Sequence, residues 1–341
     1  MKFPVLLISD LHLTSKPSDE YRWGIFPWLR STLCKKSGIQ SLVILGDLTD
    51  SKDFHGSLLV NRIVNELLSL TPLVQQIYIL KGNHDYLKPT DPPFFSFLGH
   101  HEKITYIDTP YVDNNVFESD ALCLFLPHTR TPKTDWAQYS FLQYDFVFMH
   151  QTVRGAKASN GVRMDGELDN VFDDVPSIRI YSGDIHVPQD IGDVRYVGSP
   201  YPVHFGDRFR SRALVIDGRF QEHEIGFKTL KRLSIKGTLD EIMSELADLK
   251  AGDQVKVELQ ESIASGVVWQ HAREEIIDAC TQSGIELFGL KVWNPEALRV
   301  NVQTSKDMQA AQSHSDVVSH YVEREDLGAD ALEAGLSYIK D

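Results

Sequence analysis

Five short stretches of this chain place carboxylate, amide and imidazole side chains together. "SDLH" carries Asp10 and His12, "GDLTD" carries Asp47 and Asp50, and "GNHD" carries Asn83, His84 and Asp85. "FMH" ends on His150, and "SGDIH" holds Asp184 and His186. Taken singly, most of these are ordinary. A D-x-H after an apolar run is commonly a turn with a surface histidine, and Asp and Gly are standard turn residues. A lone His150 is commonly a satisfied buried histidine. "GNHD" is sharper, because Asn-His-Asp is an odd sequence for a simple turn. Jointly, five clusters in order, all built from Asp, Asn and His, point to a metal site made of oxygen and nitrogen donors.

Elements of regular spacing must position these residues. "FPVLLIS" (3–9), "SLVILG" (41–46) and "QQIYIL" (75–80) are short, apolar and rich in β-formers, so they read as buried strands. Leu58, Leu59, Ile63, Leu67 and Leu68 recur at helical spacing over 57–70. Further strands are predicted at 121–127, 144–150, 177–183, 194–200 and 212–218. Each cluster lies just past the carboxyl end of such a run, which is where open α/β sheets gather ligands. Gly46, Gly82 and Gly183 permit the tight turns that would aim the side chains into one crevice. The predicted class is α/β in layers, a mixed sheet or two packed sheets with helices outside.

The pattern shifts near Lys228. "KRLSIKG" reads as a strand, and "TLDEIMSELADL" opens on Thr238 with Glu241 three residues later, a capping box. A strand at 253–260, a helix at 269–282 and strands at 286–292 and 298–303 complete a small α+β domain. Amphipathic helices are expected around 315–324 and 329–340. The predicted divisions are 1–228, 229–305 and 306–341.

The 341 residues are 42% hydrophobic and carry a net charge of -14. An acidic surface does not grip a nucleic-acid backbone unaided, since that binding runs on Lys and Arg. No basic stripe stands out, and bound metal could supply a local positive field. Cys34, Cys123 and Cys280 are scattered, with no CxxC, which points to a reducing compartment. No apolar run matches a signal or membrane segment, so the expectation is a cytoplasmic chain without membrane contact.

With these motifs in this order across residues 10–186, the chain resembles the calcineurin-like metallophosphoesterase superfamily. "YVGSPYPVHFGD" (196–207), "LGDLTDS" and "LPHTR" are similar to SbcD/Mre-type nuclease subunits of double-strand-break repair. The resemblance implies a two-sheet sandwich flanked by helices, followed by a small α+β capping domain. It implies two divalent ions, manganese with magnesium as the alternative. A donor set without thiolate suits both. One ion would take Asp10, His12, Asp47 and His186. The other would share Asp47 and take Asn83, His150 and Asp184. His84 would assist the leaving oxygen, with Asp85 fixing its ring by a hydrogen bond, and Asp50 would stand behind the ligands. The implied reaction is two-metal hydrolysis of a phosphodiester by a shared water, on DNA. The implied partner is an SbcC/Rad-type ATPase docked on the C-terminal helices, and a homodimer is the other assembly allowed.

One position departs from the family pattern, which more often has histidine where Asp184 stands. Asp is a competent ligand, but shorter. Two divalent ions against Asp10, Asp47 and Asp184 leave one net positive charge, where a histidine at 184 would leave two. The rival readings are a phosphomonoesterase or cyclic-nucleotide phosphodiesterase on the same fold, and a scaffold that has lost its metal. The near-complete ligand set argues against the scaffold. His128 and His204 are the remaining histidines expected nearest the site.

Overall fold

The computed structural model describes residues 1–35, 38–113, 121–166, 168–169, 179–260 and 266–292. The chain divides into two compact units. One comprises Met1–Ser234, Leu249–Lys256 and Ser283–Phe288, and the other Ile235–Asp248, Val257–Gln282 and the stretch from Gly289 on.

The first unit holds two six-stranded mixed sheets among the described residues. Strands β1 (Val5–Ile8), β2 (Ser41–Ile44), β3 (Gln76–Leu80) and β4 (Ile104–Ile107) run parallel, in that order. In the second sheet, β5 (Tyr111–Asp113) pairs antiparallel with β6 (Cys123–Leu126). Strands β7 (Phe146–His150), β8 (Arg179–Gly183) and β10 (Val194–Tyr196) follow β6 in parallel, and β9 (Gln189–Ile191) closes that edge. The first sheet is completed on the other side of β1 by β11 (Arg212–Ile216) and β12 (Glu222–Gly226), both antiparallel.

The alternation of side chains along a strand explains why two layers form. Leu7, Val43 and Leu80 share one apolar cluster with Phe125, Phe146, Phe148 and Tyr181, so the inner faces of the two sheets meet. Phe148 stacks on Phe125 at 5.0 Å and on Tyr181 at 5.8 Å. The alternate residues Leu6, Ile8, Leu42, Ile44, Ile77 and Ile79 face outward. They pack with Phe26, Leu29 and Leu33 of α1 (Ile25–Lys35) and with Leu59, Ile63 and Leu67 of α2 (Ser57–Leu70). On the far side, Leu124, Leu126, Val147, Met149 and Ile180 form a third cluster with Trp136, next to the short α3 (Pro132–Asp135). The expected two-sheet sandwich flanked by helices is the observed fold.

A three-stranded sheet is formed by β13 (Arg232–Gly237), β14 (Gln254–Leu259) and β15 (Glu286–Val292). In the second unit, α4 (Leu239–Ala247) starts on the expected capping box. Thr238 accepts from the Glu241 amide while the Glu241 carboxylate accepts from Thr238 N. The buried residues of α5 (Gly266–Ser283) include Ala272, Ile276 and Cys280, four apart on one stripe. The strand expected at 298–303 and the helices expected beyond 306 lie outside the described residues. Strands β4, β5, β9 and β12 and helix α1 were not anticipated. In α1, Pro27 falls within the first turn, where its missing N–H costs nothing.

The register does the positioning. Ile8 aligns with Ile44 and Ile44 with Ile79, while His150 aligns with Gly183. The loops carrying the first three motifs therefore leave one sheet at one level, and His150 and the Asp184 loop leave the other sheet together. Since Phe148 is fully buried between two aromatic rings, Phe148→Ala is expected to lose about 3–5 kcal/mol of stability. Urea denaturation of metal-free protein would measure it.

Candidate metal centre

At the carboxyl ends of the parallel strands, backbone and side chains are held in unusual conformations. Five non-glycine residues have positive φ among the described residues, and four are Asp10, His12, Asp47 and Asp184. Such strain persists where surrounding structure over-determines it. Two glycines make the crowding possible. Gly46 has φ +90°, and a Cβ there would lie 2.2 Å from His150 Nδ1. A Cβ on Gly82 would lie 2.2 Å from Asp47 Oδ1.

Asp47 sits at the middle. Its Oδ1 accepts from the His84 amide at 2.8 Å and lies 3.4 Å from His150 Nε2, and its Oδ2 lies 3.3 Å from His12 Nε2. His12 Nε2 and His186 Nε2 face each other at 3.0 Å. Asp10 Oδ1 accepts from the Asp184 amide at 3.0 Å. Two donor groups thereby form, Asp10 with His12 and His186, and Asp10 with Asp47 and His150, each with its ligand atoms within 4.8 Å of one another. A third group at the same spacing joins His12, Asp50 and His84.

Each imidazole near the centre is oriented from behind. His150 Nδ1 donates to the Leu45 carbonyl at 2.5 Å, which makes Nε2 the nitrogen that faces inward. His12 Nδ1 lies 3.5 Å from Asp50 Oδ1, and His186 Nδ1 lies 3.7 Å from Asp207 Oδ2. The sequence reading gave Asp207 no role. It is buried beneath its own turn, accepting from the Val203 and His204 amides at 2.8 Å each. The signal was its place in the "GSPYPVHFGD" segment. That segment also supplies Ser199, whose Oγ donates to the Asp10 carbonyl at 3.0 Å and whose amide donates to the His186 carbonyl at 2.9 Å.

Asp184 accepts from Asn83 Nδ2 at 2.6 Å and from the Thr152 hydroxyl, and its Oδ1 is 3.7 Å from His150 Nε2. The bond to Nδ2 decides which way the Asn83 amide points and turns its Oδ1 away from Asp184. The His84 ring is held by a different group from the one expected. Its Nδ1 donates to the Asp50 carbonyl at 2.8 Å. Asp85 does not hold the His84 ring. Its carboxylate accepts instead from the amides of Gly82 at 2.6 Å, Asp47 at 3.0 Å and Leu48 at 3.1 Å. A buried carboxylate so close to three unpaired amides is satisfied by them and has no need of an imidazole. His128 and His204 do lie beside the centre. Tyr86 Oη bonds His128 Nδ1 at 2.9 Å, and His204 stacks on His186 at 5.2 Å.

The electrostatics call for cations. Asp10, Asp47 and Asp85 are all buried. Burial pushes the Asp47 carboxyl up, His150 pulls it down, and Asp85 and Asp10 push it up again. Burial alone would lower His150, but Asp47, Asp184 and Asp10 outweigh it and raise the imidazole to about 9. Burial keeps His12 neutral, lowered to about 3 against the pull of Asp50. Asp10 Oδ2, Asn83 Oδ1 and His150 Nε2 are buried without a hydrogen-bond partner. Orphaned acceptors of this kind cost stability unless a ligand meets them. The donors are oxygen and nitrogen only, so they fit hard or borderline divalent cations.

Two outcomes follow. Manganese titration of Asp184→Ala is expected to lose one of two ions, while Asp207→Ala weakens binding by about 10–100-fold through the loosened His186 ring. Metal must also displace the proton that His150 holds up to about pH 9. Binding at pH 7.5 should therefore release protons, and affinity should rise with pH until about 9. Calorimetry in buffers of different ionisation enthalpy reads this directly.

No curated protein matches the chain. Among solved structures, the crystal structure of the Pseudomonas putida nuclease MPE is similar at 13% identity, over 65% of this chain and 87% of that one. The TM-score of that match is 0.28. The family described as calcineurin-like phosphoesterase matches residues 3–288, most of the 341, and the chain belongs to that family.

Proposed function

We propose that this chain is a metal-dependent phosphodiesterase acting on DNA, a nuclease subunit of the SbcD/Mre type. The observation that carries the hydrolytic reading is the grouping of Asp10, Asp47 and His150 with ligand atoms within 4.8 Å of one another, where Asp10 Oδ2 and His150 Nε2 are buried and unpartnered. The DNA reading is supported by the Gly-Ser-Pro segment, which here ties the Asp10 and His186 loops together. Asp10, His12, Asp47 and His186 would hold one ion, and Asp47, Asn83, His150 and Asp184 the other, with manganese the favoured metal. Bound ions supply Lewis-acid polarisation of the phosphate and of a water.

The chain's own residues then manage the proton. With Nδ1–H committed to the Asp50 carbonyl, the His84 ring is fixed and Nε2 is the nitrogen left for proton transfer. His84 gives an Nε2 proton to the leaving ester oxygen as the P–O bond breaks, while the water oxygen forms the new P–O bond, leaving one of its protons on the product phosphate and returning the other to His84 through solvent. Asp85 takes no proton in this scheme. It fixes the Asp47 and Gly82 loops, and His84 follows because its amide donates to Asp47 Oδ1. The partner in this proposal is an SbcC/Rad-type ATPase. Its docking element, expected after residue 306, lies outside the described residues.

Manganese-dependent digestion of end-labelled linear, nicked and hairpin DNA, with and without an ATPase of that type, tests the reading. Bis(p-nitrophenyl) phosphate should be hydrolysed well and p-nitrophenyl phosphate poorly. The reverse preference would make the protein a phosphomonoesterase. His84→Ala is expected to lose about 10²–10⁴-fold in rate with metal stoichiometry unchanged.

A further inference from the structure

A net charge of -14 hides a local concentration of the opposite sign. Within the first unit, a groove of about 960 Å³ is lined by Arg208, Arg210, Lys228, Lys231 and Lys250. All five are exposed. The single carboxylate in the lining is Asp207, which is buried and already engaged by two amides and His186. Arg210, Lys228 and Lys250 therefore give the groove a cationic, solvent-facing surface.

Its cations are held in place by buried chemistry. Asp253 is 5% exposed, and its carboxylate accepts from Lys231 N at 2.7 Å and from Lys250 N at 2.9 Å. One buried acid thus fixes two lysine-bearing segments beside each other. The floor between the cations is apolar, with Phe209 and Phe227 half-buried. Phe227 packs edge-on against Trp28 at 5.6 Å, so its ring has a fixed attitude. The groove meets the back of the His186 ring through one shared residue. Asp207 lines it and stands 3.7 Å from His186 Nδ1, whose Nε2 points at His12.

We propose that this groove receives the sugar-phosphate backbone of a polynucleotide, alongside the loop that carries His186. Spaced point charges over an apolar, aromatic floor suit repeated phosphates carrying sugars and bases better than a small phosphomonoester, which needs one tight cradle. The inference deepens the nuclease reading and rests on it for the chemistry.

The test is fluorescence anisotropy of a labelled duplex with full-length, manganese-loaded protein carrying His84→Ala to suppress turnover. Adding Arg210→Glu and Lys228→Glu is expected to weaken binding at least about tenfold. The slope of log affinity against log salt should fall by about 2, one for each lost phosphate contact. Arg210→Lys and Lys228→Arg should restore both. An unchanged slope, or an equal loss in the charge-conserving variants, would overturn the groove. So would tighter binding of inorganic polyphosphate than of duplex at equal phosphate concentration. With His84 intact, the ratio of polynucleotide to bis(p-nitrophenyl) phosphate kcat/KM should fall about tenfold in the charge-reversed variant. Turnover of the small diester by the wild type decides the phosphodiesterase reading separately, because the anisotropy slope does not depend on it.

Discussion

The structure is organised around the repulsion among buried carboxylates. Asp10, Asp47 and Asp85 are each 3% exposed or less, and all three lie at the same end of one sheet. Removing an ionised carboxylate from water costs several kcal/mol even after relaxation. The fold meets this cost in two ways. Asp85 is neutralised by geometry, since three backbone amides converge on it. Asp10 and Asp47 are surrounded by imidazoles and amides that still leave acceptors unpaired in the middle. The protein alone does not balance that charge, and a cation does.

The rest of the site can be ordered by its distance from this imbalance. The loops at Asp10, His12, Asp47 and Asp184 take up strained backbone to bring their side chains inward. Behind them stand groups that aim the donors: the Leu45 carbonyl for His150, Asp50 for His12, Asp207 for His186 and Asp184 for Asn83. Behind those stands the aromatic inter-sheet core, stiff enough to hold the strand ends in register. Asp184 takes part at two of these levels. It lies near His150 Nε2 and also turns the Asn83 amide. A histidine at that position would bring a nitrogen donor but no carboxylate to set Asn83 in this way.

Much of this was legible in the sequence, because the signals were local. Apolar runs of four to six residues marked β1, β2, β3, β6 and β7, and the five motifs could be seen to follow strands. The capping box at Thr238 and Glu241 is likewise written in four consecutive letters. What could not be read was pairing at a distance. Nothing near His186 points to Asp207, which is 21 residues away in the chain and 3.7 Å away in space. "GNHD" invites an Asp85–His84 pair, and only the fold reveals three amides that satisfy Asp85 first. Strands β4 and β5 are four and three residues long and do not alternate apolar with polar, so they leave no period to read. The cations of the groove are spread from Arg208 to Lys250 among acidic residues, so no stripe was visible in the chain.

The pairing of β1 carries a consequence for how the molecule is made. β1 lies between β2 and β11, with Leu7 opposite Leu214 and Val5 opposite Ile216. During synthesis β2 emerges early, but the other neighbour appears only when about two-thirds of the chain has been translated. Through that interval the nascent sheet has an open, uncharged, wholly apolar edge of the sequence VLLI. Unpaired edges of this kind recruit other strands. A strand that ends up inside the finished sheet therefore spends that interval as its open edge.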